Sequence, residues 1–399
     1  MSDKKLAQVF NMRPDPYLIP RFNFDYKLTD FSTSITSIFK GESNLEPLYS
    51  TFGQKDFFFT NYGRTALYVI LKSLHLPPKS KIGVPLYCCT VVFDAIINAG
   101  HIPRFIDIND NYTMDPEDLK SKIEDLSAVV VIHTFGRPAD MDSIKKIAGR
   151  VPIIEDCSHS LLSEYKGKIT GTIGDMAIFS LAKYLSAGGG GLLVVNNRSF
   201  TKRIQKETKT LREPSTLDEI QHTTTAYMRS FFYHKPWFGL FGLPIGLILE
   251  NKVDLMTKKS SRMTAGYKTY TDITSKKLSS FKSKVEIQRK NSFFLLDKLK
   301  DSSLILPLEK KSTYCNYYLF PLTVKNRDKT CEYLRQNGVD TTKLFSQTPE
   351  VAKAIYDYKG DCPRTEEIAK SIITIPNHYV LKKKELEKVA GVINSCPYK

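Results

Sequence analysis

The sequence predicts an α/β protein: a large three-layer domain with a mostly parallel sheet between helices, followed by a smaller C-terminal α+β domain. Three observations carry this. Between about residues 60 and 197, short β-branched or apolar runs alternate with helix-sized intervals, the pattern of parallel strands joined by helical crossovers. A long stretch of helical spacing, 265–305, then intervenes, with Ile287, Phe293, Phe294, Leu295 and Leu299 on its apolar side. Beyond it, one strand-like run mixes with helical segments in the manner of a second, smaller unit.

Taken in order, residues 1–50 read as an N-terminal segment, 51–255 as the large domain and 260–399 as the small one. Strands are expected at KIGVPLY (81–87), HIPRFIDI (101–108), AVVVIHTF (128–135), VPIIEDC (151–157), DMAIFSL (175–181) and GGLLVVNN (190–197). Each is too short for a buried helix and rich in Val, Ile or Phe. In the small domain, YYLFPLTV (317–324) reads as a strand, while RDKTCEYLRQNG (327–338) and KKKELEKVAGVINS (382–395) read as helices. In α/β folds of this kind, functional residues gather at the carboxyl ends of the strands.

The apolar run Trp237–Leu249 stands apart. It is shorter than the roughly 20 residues of a spanning helix, and Pro244 with its glycines breaks it further, so a hairpin or re-entrant loop is expected. Two readings stay open: a loop packed in the core or at a dimer interface, or a peripheral membrane contact through residues 229–252, where Arg229, Lys235 and Lys252 flank the aromatic residues.

Composition narrows the classes of function. The 399 residues are 41% hydrophobic, too apolar for a disordered chain. The start, MSDKKLAQVF, lacks the apolar stretch of a secretory signal, and a cytoplasmic protein is expected. The seven cysteines form no CxxC pair and do not cluster with histidine, so neither a disulfide framework nor a metal site is expected. Lys and Arg number 58 against 42 Asp and Glu, a net charge of +16. No nucleic-acid motif accompanies that charge, so nucleic acid is not an expected partner, whereas an anionic metabolite suits it.

Three loci carry chemistry. Asn61-Tyr62-Gly63-Arg64-Thr65 follows an apolar run and opens an apolar helix, whose free N–H groups make an anion site suited to phosphate; a simple glycine turn is the alternative. Ile153-Ile154-Glu155-Asp156 ends a buried strand in a carboxylate, which either caps the next helix or pairs with a ligand. Ser180-Leu181-Ala182-Lys183 precedes Gly188 to Gly191, a glycine run that lets backbone crowd a planar group; a flexible loop is the alternative. The order of Lys before glycines excludes a P-loop. An anion-binding helix start, an Asp at a strand end and a Lys at the next strand's exit are the parts a pyridoxal phosphate enzyme needs.

With these loci in hand, the chain resembles the DegT/DnrJ-type family of pyridoxal-phosphate sugar aminotransferases, of aspartate-aminotransferase fold (fold type I). The resemblance runs over about residues 55–200: Gly63 to Leu67, Val84-Pro85-Leu86-Tyr87, Asn98-Ala99-Gly100, Phe105 to Ile108, Met114-Asp115-Pro116, His133 to Met141, Glu155-Asp156, Gly174-Asp175 and Lys183 with its glycines. Beyond residue 260 it is looser, in Arg262-Met263, Asn316-Tyr317-Tyr318 and Asn337-Gly338-Val339.

The resemblance implies pyridoxal 5'-phosphate as cofactor, with Lys183 as the Schiff-base lysine and proton carrier. It implies Asp156 at the ring nitrogen, His159 where the family usually has a Gln beside the ring hydroxyl, and Ser180, Gly63, Arg64 and Thr65 around the phosphate. Cys89 stands where an aromatic commonly stacks on the ring, leaving Tyr87 or a sulfur for that contact. The Ser180 to Lys183 spacing is two residues shorter than the family's usual one, Ser260 stands in place of an Asn that reaches the neighbouring subunit's phosphate, and residues 231–250 are an insertion.

The implied activity is transfer of an amino group from an amino acid such as L-glutamate to a keto sugar on a nucleotide, in polysaccharide biosynthesis, by a homodimer. Retention of Lys183 argues against the family's dehydratase branch, which typically has His there. A cyclitol or lipid-linked substrate, and a pyridoxal-phosphate-binding regulator or scaffold with little turnover, are the alternatives.

Overall fold

The computed structural model of the chain describes residues 15–39, 43–252, 262–300, 302 and 304–399. The start MSDKKLAQVF, the expected division between 255 and 260, and Ser260 lie outside the described residues.

Twelve strands are described: β1 (Asp56–Thr60), β2 (Lys81–Pro85), β3 (Ile102–Ile106), β4 (Leu126–Ile132), β5 (Ile153–Asp156), β6 (Glu164–Tyr165), β7 (Lys168–Ile169), β8 (Met176–Ser180), β9 (Gly191–Val195), β10 (Thr313–Tyr314), β11 (Phe320–Thr323) and β12 (Ile372–Ile375). Seven form one sheet in the order β1-β9-β8-β5-β4-β2-β3. From β8 to β3 every pairing is parallel, whereas β9 runs antiparallel to both its neighbours, β8 and β1. All residues of β5 and β9 are buried; β9 accordingly reads as a continuous apolar run, whereas β5 passes from Ile153 and Ile154 into the carboxylates Glu155 and Asp156.

Alternation along the strands feeds two cores. Leu193 and Val195 of β9 pack with helices Gly63–Ser73 and Val91–Asn98 on one face. Leu192 and Val194 turn to the other face, toward Leu48, Phe52, and Ile273, Leu278 and Phe281 of the helix Lys268–Leu299. Helix, sheet and helix thus make three layers, as the fold class predicts.

A further core surrounds the antiparallel pair β11–β12, where Leu295 and Leu299 at the end of the long helix meet Leu334, Leu386 and Val389. The segment before residue 27 ties the two regions together. Ile19 bridges Val339, donating to the Gly338 carbonyl at 3.0 Å and accepting from the Asp340 amide at 3.0 Å, while Tyr26 is buried in the core beneath the sheet.

The expectation of a hairpin at 237–249 is corrected. Residues Phe238–Gly242 form a π-helical turn that runs into the helix Leu243–Lys252. Pro244 sits in the first turn of that helix, where its missing N–H has no intrahelical partner to lose. Gly239 marks a close approach rather than a break: a Cβ there would lie 1.8 Å from the Asp15 carbonyl oxygen.

Candidate active site

Strand register brings the expected residues to one edge of the sheet. Asp156, the last residue of β5, lies opposite Ile132 at the end of β4 and Ile178 of β8. Ser180 ends β8 opposite Gly191, and Gly191 faces Thr60, the last residue of β1, from which the chain enters the helix Gly63–Ser73. The close approach at that helix start needs a glycine at 191, because a Cβ there would sit 2.4 Å from the carbonyl carbon and oxygen of Tyr62 and 2.6 Å from the Gly63 nitrogen.

At this edge lies a cavity of about 240 Å³. Its polar lining includes Asp156, Ser158, His159, Ser180 and Lys183, its helix-start lining Tyr62, Gly63 and Arg64, and its apolar floor Leu67, Val92, Ile132 and Ile178. Lys183 also lines a second, smaller cavity on its other side, under residues 21–24.

Asp156 is buried, with Oδ1 accepting from the Ser158 amide at 2.9 Å; Oδ2 has no partner among the described residues. The Gly63 amide and the Lys183 amine likewise have none. His159 is buried, and its Nδ1 accepts from the Phe135 amide at 3.2 Å, so in the neutral ring Nε2 carries the proton. Burial, and then the positive charge of Lys183, hold that imidazole well below its ordinary pKa, so it is a neutral donor at physiological pH.

Behind this layer Glu155 fixes the scaffold. Its carboxylate accepts from the amides of Gly171, Ile173 and Gly174 and from His133 Nε2, at 2.6–3.0 Å. His133 Nδ1 accepts from the Ala139 amide. Although burial opposes ionisation, the hydrogen bond from His133 and the backbone donors keep the Glu155 carboxyl below its usual value. His133, Glu155 and Cys157 bring metal-ligand atoms within 4.8 Å of one another, but the His and Glu atoms are already engaged with each other and with backbone, so the group serves as a buttress.

Some expected residues stand elsewhere. Thr65 does not line the cavity: its hydroxyl donates to Asn61 Oδ1 at 2.7 Å and its amide to the Tyr62 carbonyl. Tyr87 is fully buried beneath the site, donating to the Leu344 carbonyl at 2.8 Å, while Cys89, with its neighbour Cys88, forms the wall. Tyr62, Ser158 and Phe345 are among the lining residues not expected from the sequence. Tyr62 carries the Arg64 guanidinium over its ring at 4.0 Å, and Ser158 stands two residues after Asp156. Phe345 comes from far along the chain, its ring within 4° of parallel to His159 at 6.1 Å between centroids. Proximity to the motifs could have found the first two, but nothing local signals Phe345.

The seven-stranded sheet with one antiparallel strand, and a lysine and an aspartate meeting at its carboxyl edge, define the class: a pyridoxal-phosphate-dependent aminotransferase of fold type I. Within that class the chain belongs to the DegT/DnrJ/EryC1/StrS aminotransferase family, which it matches over residues 45–394. It is 25% identical over 345 residues to dTDP-3-amino-3,6-dideoxy-alpha-D-galactopyranose transaminase of Aneurinibacillus thermoaerophilus, covering 84% of each chain. It is 32% identical over 168 residues to UDP-4-amino-4,6-dideoxy-N-acetyl-beta-L-altrosamine transaminase of Campylobacter jejuni, 40% of this chain and 44% of that one. Its fold matches the crystal structure of the aminotransferase TlmJ from Streptoalloteichus hindustanus with a TM-score of 0.74 at 19% identity, over 95% and 98% of the two chains.

Proposed function

We propose that this aminotransferase moves an amino group from L-glutamate to a keto sugar carried on a nucleotide diphosphate, with Lys183 as its catalytic residue. The observation that carries the assignment of the site is the convergence of unpartnered groups on one cavity: the Lys183 amine, Asp156 Oδ2 and the Gly63 amide, beside the proton of His159 Nε2. That donor set fits pyridoxal phosphate, which needs an amine, an anionic partner for a protonated ring nitrogen, a donor to its ring oxygen and donors to its phosphate.

When bound, the cofactor supplies a carbonyl carbon and an electron-withdrawing ring that lets a proton leave the carbon bearing the amino group. Asp156, already oriented by the Ser158 amide, would hold the proton on the ring nitrogen. His159 would offer its Nε2 proton to the cofactor's ring oxygen. Gly63, Arg64 and Ser180 would hold the phosphate at the helix start, where the helix dipole favours an anion. Lys183 would hold the cofactor through its amine and, in each half-reaction, its amine would move the proton between the substrate carbon bearing the nitrogen and the cofactor. Cys88, Cys89 and Phe345 wall the cavity.

The nucleotide-sugar assignment draws on the names of the dTDP- and UDP-sugar relatives and on the +16 charge, which attracts a diphosphate. The test is a two-step assay. L-Glutamate alone should change the visible absorbance of the bound cofactor and release one equivalent of 2-oxoglutarate. A nucleotide-linked keto sugar should then restore the spectrum and appear as the amino sugar by mass spectrometry. Amine transfer to a cyclitol ketone alone would overturn the sugar assignment, and bound cofactor that responds to neither substrate would identify a regulator.

A further inference from the structure

The stretch from Met228 to Ile245 carries apolar side chains on two opposite sides. Its inner side is anchored: Phe238 and Leu243 are buried against Leu18 in a small core of their own. Its outer side is a shelf of stacked rings. Trp237 lies between Phe231 and Phe241, with centroids 5.6 and 6.0 Å away and planes inclined by 26° and 24°. Phe231 is 40% exposed, Trp237 38%, Phe241 47% and Ile245 52%. The preceding helix, Thr216–Phe232, buries Glu219, Thr223, Ala226 and Ser230 instead, and turns Met228 and Phe231 outward. An element apolar on both sides has its outer face covered by something.

The rim of the shelf is basic. Lys235 pairs with Glu385, which places the start of the helix Lys383–Asn394 beside the aromatic residues. Lys382, Lys383 and Lys384 at that start are all exposed, and none of the three has an ion-pair partner among the described residues. A second copy of the chain would bring another basic triad to the same rim, adding like charge to like. Anionic headgroups neutralise it instead, while the rings occupy the boundary between headgroups and acyl chains. No helix among the described residues is long and apolar enough to cross a membrane, so the contact would lie in one leaflet.

We propose that the Phe231–Trp237–Phe241 shelf and the Lys382–Lys384 triad form a docking surface for an anionic lipid bilayer. Trp237 is the only tryptophan of the chain and reports on the shelf directly. The full-length holoenzyme is mixed with vesicles of phosphatidylglycerol and phosphatidylcholine, and with phosphatidylcholine alone. The expected result is a blue shift of Trp237 emission and co-flotation with the anionic vesicles only, both reversed by high salt. F231S/F241S should weaken partitioning by roughly tenfold or more, since each aromatic ring withdrawn from water contributes on the order of a tenfold factor.

K383E/K384E places acidic residues in the first turn of a helix, which the helix dipole favours. It should fold normally and weaken anionic binding by about tenfold or more. Both variants should retain amine transfer to soluble substrates. Three results would overturn the proposal: unchanged emission and no flotation of the wild type; equal binding to neutral vesicles; or sedimentation showing that F231S/F241S splits a larger assembly, which would make the shelf a contact between copies. If F231S/F241S does not fold, K383E/K384E and the salt dependence of the wild type still decide.

Discussion

Asp156 meets the cavity with one carboxylate oxygen held by a backbone amide and the other open, and this asymmetry sets its expected cost of removal. Asp156→Ala should lower kcat by roughly 10- to 100-fold, the loss of one hydrogen bond to a charged group at a reacting centre. His159→Gln keeps an N–H donor and should cost less; equal losses in steady-state kinetics would refute that ranking. Lys183 should carry the pyridoxyl mass after borohydride reduction and peptide mapping. The mass on Lys166, which pairs with Asp142 at the surface, would refute the assignment. Lys183→Ala should keep non-covalently bound cofactor and lose transamination by roughly 100- to 10,000-fold or more. These residues were legible because a carboxylate at the end of a buried strand and a lysine before four glycines have few structural reasons to exist. Thr65 reads as a ligand from its position in the helix start, yet its hydroxyl closes onto Asn61, a choice that only three-dimensional neighbours decide.

Among the elements, six of the seven strands of the main sheet were legible, most plainly where burial on both faces made an unbroken apolar run, as in Leu192 to Val195, whereas β1 showed only as an apolar run. The helix Thr216–Phe232 was not, because it reverses the usual order and buries Glu219, whose carboxylate accepts from the amides of Lys268 and Thr269 at the start of the long helix. Phe345 escaped for a different reason: it sits in a loop with φ of 58°, fixed by packing against Tyr87 and His159 rather than by local pattern. The junction of β9 with the helix start permits a sharp test. Gly191→Ala should force Tyr62 and Gly63 away from the sheet, destabilise the protein by about 1–3 kcal/mol in urea denaturation and weaken cofactor retention. Gly246→Ala, in the exposed helix where a Cβ meets nothing within 4 Å, should instead leave stability unchanged or raise it by up to about 1 kcal/mol.

For the molecule as a whole, acid stability should follow its buried imidazoles. His378 donates from Nε2 to the Pro20 carbonyl at 3.0 Å, and burial pushes its pKa down to about 4; His159 is lowered in the same direction. A lowered histidine binds protons in the unfolded chain first. Its stabilising contribution is therefore present above about pH 6.5 and lost as pH falls through the folded value near 4, by roughly 3 kcal/mol for His378 at the low end. His378→Gln should flatten that part of the stability curve between pH 6.5 and 4 in thermal unfolding. The same contact has a consequence in time. Residues 15–26 leave the ribosome more than 300 residues ahead of their partners, Gly338 to Asp340 and His378. A chain made from its amino end can complete the sheet and its crossovers while translation continues, but the clasp over Lys183 must wait until residue 378 has emerged. Until then a nascent chain holds its first segment without a mate, and the wall supplied by Phe345 is missing as well. The candidate chamber thus closes only after residues 338 to 378 have been made, well after the sheet that carries Lys183.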